Sequence, residues 1–194
     1  LSLKALIDEP FKLLLAIEQG ARDAIAKRQG AGAVVEEWIG VAFRLGNERF
    51  VTARADVREV LPLPDIQTRV PGAKPWLRGI ANVRGQLLTI IDLKAFLGSG
   101  PMHPDRKARM LMLASREVPT AVIVDEVQGF RRFATGEFSE SKPVTDIRCE
   151  HYLAGAFRRE SESFPLFDLQ RLLKDPSFLN AGALKAEARE AVRR

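Results

Sequence analysis

From Trp38 onward, large apolar residues alternate with small or polar ones: Ile39, Val41, Phe43 and Leu45 against Gly40, Ala42 and Arg44. Gly46-Asn47 then supplies a turn, and Phe50-Val51 begins a return, so the pattern predicts a β-hairpin. Val57 to Leu61 reads as a further short strand or a strand-edge helix, closed by Pro62 and Pro64 in a stretch whose four prolines forbid a regular element throughout. Before Trp38 the period differs. Phe11, Leu14, Leu15, Ala21 and Ile25, interrupted by Glu18, follow helical spacing, with Pro10 in the first turn and Gly30 and Gly32 at the end. Residues 1–36 are therefore expected to form a helical extension.

The densest apolar segment runs from Trp76 to Leu93 and is split by Arg84-Gly85. Gly85 can take the positive φ that a tight hairpin needs, which puts Arg84 at a solvent-facing tip. Asp92 is placed to cap a short helix, Leu93 to Leu97, ended by Gly98. After a polar loop, strands are expected at Met110 to Leu113 and Ala121 to Val124. Gln128 to Pro143, punctuated by Gly and Ser, is read without a regular element. A last hairpin spans Ala154 to Phe167, and Asp168 opens a helix through Leu173.

The chain repeats itself. Residues 89–97 and 165–173 align without a gap at an offset of 76 residues, Asp92 against Asp168, and Gly79 and Gly155 keep that offset. Val57-Arg-Glu-Val60 likewise matches Val124-Asp-Glu-Val127. Two matches in the same order predict two similar β halves, each ending in a strand, an Asp cap and a short helix. The boundaries follow: 1–36 as the helical extension, 37–175 as the β domain, and 176–194 as a helical or frayed tail.

Composition narrows the function. Of 194 residues, 46% are hydrophobic and 28% charged, an ordinary globular balance. The net charge of +5 is spread among acids rather than gathered in a basic stripe, which speaks against nucleic acid as partner. Leu13 to Ile17 is too short for a signal segment or membrane span, and the single Cys149 fits a reducing compartment; a cytoplasmic protein without direct membrane insertion is expected.

Candidate chemistry is sparse. His103 and His151 lack metal-ligand spacing, Cys149 has no ligand set around it, and no phosphate-binding or nucleophile-elbow motif occurs. Asp92, Asp125 and Asp168 each follow an apolar strand, but two of them read as helix caps rather than acid–base groups. No catalytic residue, metal or cofactor is expected. Arg84 and Glu59 stand apart because the fold does not obviously need them, and an exposed arginine pairs well with partner carboxylates.

Residues 71–98, with their Asn-x-Arg-Gly hairpin and Asp-Leu cap, resemble the signature of CheW-like chemotaxis coupling proteins. The resemblance runs from about Trp38 to Leu173 and takes in 56–60, 124–127 and 167–169. It is most similar to the PilI branch, which serves twitching motility and type IV pili. The fold implied is mainly β: two five-stranded SH3-like barrels, intertwined, with an N-terminal helix and short C-terminal helices. The function implied is a scaffold coupling the cytoplasmic tip of methyl-accepting chemoreceptors to the CheW-like regulatory domain of a histidine kinase. Arg84 falls on the arginine implicated in that coupling. Asn82, Val83 and Gly85 share its hairpin, and Val57 and Glu59 match positions near the partner surface. A receptor groove is expected near Ile90 and Val124. A flagellar chemotaxis pathway, or a small nucleic-acid-binding barrel, are the alternatives.

Overall fold

The computed structural model describes residues 37–64, 67–115 and 119–180. The helix expected within 1–36 and the tail beyond residue 180 lie outside the described residues. The chain forms β1 (Glu37–Leu45), β2 (Glu48–Ala53), β3 (Val57–Pro62), β4 (Leu77–Val83), β5 (Gln86–Asp92) and helix α1 (Leu93–Phe96). There follow β6 (Arg109–Leu113), β7 (Thr120–Val124), β8 (Glu126–Ala134), β9 (Phe138–Ser139), β10 (Leu153–Arg159), β11 (Glu162–Phe167) and helix α2 (Leu169–Lys174).

These strands make two sheets, one of six in the order β8-β1-β2-β11-β10-β9 and one of five in the order β3-β6-β7-β5-β4. Neither is closed by a hydrogen-bonded ladder, so the expected pair of five-stranded barrels is corrected to two open sheets. The sixth strand arises because 128–139, read without a regular element from sequence, carries most of β8 and all of β9. Its alternation is hidden by a bulge, where the β1–β8 register shifts between Ala42 and Phe43 beside Gly129 at φ +89. As an edge strand, β8 also leaves Phe130, Arg131 and Arg132 exposed.

The repeat is expressed in the topology. Hairpins β1-β2 and β6-β7 occupy equivalent places, each followed by an edge strand, β3 or β8. However, β1-β2 pairs with β8 and runs parallel to β11, whereas β6-β7 pairs with β3 and runs parallel to β5. Each sheet thus combines the leading hairpin of one half with the trailing strands of the other. Neither half owns a complete sheet, so the fold forms as one cooperative unit.

The sheet faces explain the apolar pattern. Val41, Phe43, Leu45 and Phe50 enter the main core with Ile90, Leu111, Ile123, Phe167 and Leu169. The opposite face of β1 and β2 gives Ala42 and Val51 to a smaller core with Phe133, Phe157 and Phe164, against which Trp38 packs. At the two ends of the repeat, Asp92 and Asp168 cap α1 and α2, and their N–H groups donate to Trp76 O (2.8 Å) and Tyr152 O (2.7 Å). Trp76 and Tyr152 are themselves 76 residues apart, so the repeat extends into the aromatic cluster beneath both caps.

Gly79 and Gly155 are a second equivalent pair. Each sits at a register shift, at φ +148 and +152, where a Cβ would stand 2.4 Å from Thr68 O or 2.3 Å from Ser139 O. The short strand crossing each position, the Thr68 bridge in one half and β9 in the other, is admitted because there is no side chain.

Candidate functional site

Val83 and Gln86 pair across a two-residue turn in which Arg84 and Gly85 have φ of +53 and +81. Positive φ at both central positions defines a type I′ turn, the connection whose twist matches a β-hairpin. Glycine occupies such a position freely. Arginine there costs about 1 kcal/mol, because its Cβ crowds the following carbonyl. The turn thrusts Arg84 outward, with 73% of its side chain exposed, and its Nη1 donates to Glu59 Oε1 at 2.6 Å.

Glu59 belongs to β3, at the opposite edge of the five-stranded sheet from β4. The sheet therefore curls until its two edges face one another, and the ion pair spans the seam that backbone hydrogen bonds leave open. Beneath it lies a cavity of about 240 Å³ bordered by Leu61, Val83, Leu88 and Met112. The six-stranded sheet has a comparable staple. Arg159 on β10 donates to Arg132 O on β8 (2.7 Å) and to Glu137 (2.6 Å), with its guanidinium 5.1 Å from the centre of the Phe133 ring. The Arg159 guanidinium and the Ala134 N–H hold the Glu137 carboxyl down at about 2.

The hairpin residues divide by exposure. Asn82, Arg84, Gly85 and Gln86 face solvent, and Val83 is half-buried against the main core. Val57 does not belong with them. It is 3% exposed and lies inside the main core. Ile90 and Val124, near which a receptor groove is expected, are both fully buried: β5 and β7 are interior strands of their sheet, with neighbours on either side.

Sequence reasoning missed an exposed apolar patch on the other sheet. Phe130 on β8 is 65% exposed and Ile39 on β1 42%, on the same face of the β1–β8 ladder, and the Arg54 guanidinium lies 5.7 Å from the centre of the Phe130 ring. Burying a phenylalanine yields about 1.5–3 kcal/mol, which this fold forgoes at Phe130. The signal was a lone Phe between Gly129 and two arginines in a segment whose period the bulge had broken.

The remaining candidate groups have structural employment. Asp92 accepts from Ala95 N and Met102 N, Asp168 from Gln170 N and Arg171 N, and Asp125 from Gly46 N at 2.6 Å, latching the β1–β2 turn. His103 and His151 are exposed. Among the described residues no cluster of three or more His, Cys, Asp or Glu is placed to hold a metal ion, and no helix is long and apolar enough to cross a membrane.

Comparison with known proteins gives the same direction. Residues 40–177 match the CheW-like domain. The protein PilI of Pseudomonas aeruginosa is 36% identical over 174 residues, which are 90% of this chain and 97% of that protein. The chemotaxis protein CheW of Bacillus subtilis is 36% identical over 119 residues, 59% of this chain and 73% of the other. Among solved structures, the scaffolding protein TtCheW from Thermoanaerobacter tengcongensis superposes with a TM-score of 0.58 at 25% identity, covering 68% of this chain and 84% of that one.

Proposed function

The chain belongs to the CheW-like family, and on that premise we propose that it is a non-catalytic adaptor coupling methyl-accepting chemoreceptors to a chemosensory histidine kinase, in a pathway controlling type IV pilus twitching. The observation that carries the reading is the Arg84–Glu59 pair. An arginine is held in an unfavourable backbone conformation, outside the core, for an exposed ion pair that itself adds only about 0–1 kcal/mol. Stability does not account for keeping it there, and recognition does. Its planar fork, pre-oriented by Glu59, meets a partner carboxylate or carbonyl from the kinase regulatory domain.

Asn82, Val83, Gly85 and Glu59 complete that contact surface. The Ile39–Phe130 patch lies on the other sheet and presents the apolar area that a receptor helix needs. Two modest surfaces of this kind bind weakly one at a time and firmly within an array, where the second contact is intramolecular. The match to PilI along nearly its whole length supports the pilus branch of the family.

A reconstituted assay tests the reading. Kinase autophosphorylation is followed with receptor-bearing vesicles, with and without the purified protein. The kinase should come under receptor control only when the protein is present; control that is independent of it contradicts the proposal.

A further inference from the structure

A second polar concavity lies away from the Arg84 hairpin, where the chain returns from the proline-rich loop into β4. It has a volume of about 490 Å³ and is lined by Gln67, Arg69, Lys74 and Arg78 around Val70 and Leu77, with no acidic side chain among the described residues that line it. Three cations converge on one space. Arg78 makes a single long contact, 3.5 Å to Met102 O. Arg69 and Lys74 make no side-chain hydrogen bond or ion pair with any described residue. Like charges this close repel one another, so the cluster is stabilised when an anion neutralises it.

The backbone beside it is also open. Thr68 exchanges both hydrogen bonds with Ile80, each 2.9 Å. In an antiparallel pair the flanking residues then point their N–H and C=O groups to the other side, so Gln67 and Arg69 present an unpaired edge. Among the described residues, the lining contains no aromatic ring on which a base could stack. Trp76, the nearest in sequence, packs instead against Phe96 and Phe178. That weighs against a nucleotide or single-stranded nucleic acid. A cationic rim, an apolar floor and a free strand edge together suit an extended peptide bearing carboxylates.

We infer that Arg69, Lys74 and Arg78 form a docking site for an acidic, extended segment of a partner protein, separate from the Arg84 surface. Binding of a fluorescein-labelled ten-residue glutamate-rich peptide to the full chain, followed by anisotropy at two salt concentrations, tests it. The expected result is saturable binding that weakens with salt, falls at least tenfold in the double variant Arg69→Glu/Lys74→Glu, and is unchanged in Arg84→Ala. Both altered residues of the double variant carry solvent-exposed charges, and its thermal transition is recorded alongside to verify folding. Absence of binding, binding indifferent to the double variant, or equal competition by inorganic polyphosphate would each overturn the assignment. The Arg84→Ala arm keeps this result distinct from that of the adaptor reading.

Discussion

Arg84 Nη1 and Glu59 Oε1 lie 2.6 Å apart although Glu59 is on the edge strand β3 and Arg84 is in the turn that joins β5 to the opposite edge strand, β4. The pair is a measure of how far the sheet curls, and it marks a seam where a barrel would have closed. The same relation recurs in the other sheet through Arg159, Arg132 and Glu137, so both curled sheets carry an arginine across their open side.

Replacing Arg84 by Asn separates stability from recognition. Asparagine tolerates positive φ, so the strain is relieved while a weak exposed ion pair is lost, and urea denaturation should show stability unchanged or raised by about 0.5 kcal/mol. Kinase coupling should fall in the same variant. A loss above about 2 kcal/mol would place Arg84 among residues the fold needs.

Gly79→Ala and Gly155→Ala should each destabilise by more than about 2 kcal/mol, since the new Cβ meets a backbone carbonyl in a region of φ closed to L side chains. Because the two positions are equivalent in the repeat, the two midpoint shifts should be alike. A neutral result at either would refute the close strand crossing there.

Thr52 and Thr89 place buried hydroxyls where no hydrogen-bond partner stands among the described residues. Thr89→Val removes a polar atom that folding strips of water and should raise stability by about 1 kcal/mol in thermal or chemical denaturation. Destabilisation instead would mean that the hydroxyl has a partner.

Acid sensitivity has a defined contributor. Glu137 is held at about 2 in the folded protein, from an ordinary value of 4.5, chiefly by its hydrogen bond from Arg159. A carboxyl depressed in the fold contributes stability above its unfolded value and loses it as pH falls toward the folded one. The difference in thermal midpoint between wild type and Glu137→Gln should thus be full at pH 6 and shrink between pH 4.5 and 2. A difference independent of pH across that window would contradict the pairing.

How much of this was legible in the chain depended on whether local signals were intact. The Arg84-Gly85 turn, the Asp92 and Asp168 caps and the hairpins on either side are set by neighbouring residues, and they stand where the sequence pattern predicts. Strand β8 escaped because a bulge at Gly129 broke its period and its side chains face solvent. With it went the Ile39–Phe130 patch. The exchange of hairpins between halves was also out of reach of local pattern: β5 beside β7 and β11 beside β2 are parallel, long-range pairings. Val57, Ile90 and Val124 show the opposite limit, since matching a position does not reveal which way its side chain points.

The central claim rests on the Arg84 surface, and it is tested most directly by titrating the CheW-like regulatory domain of a chemosensory kinase from the same organism with wild type and with Arg84→Glu at physiological salt. Wild type should bind saturably and the charge reversal at least tenfold more weakly, with both proteins equally folded. Equal affinity of the two would contradict it.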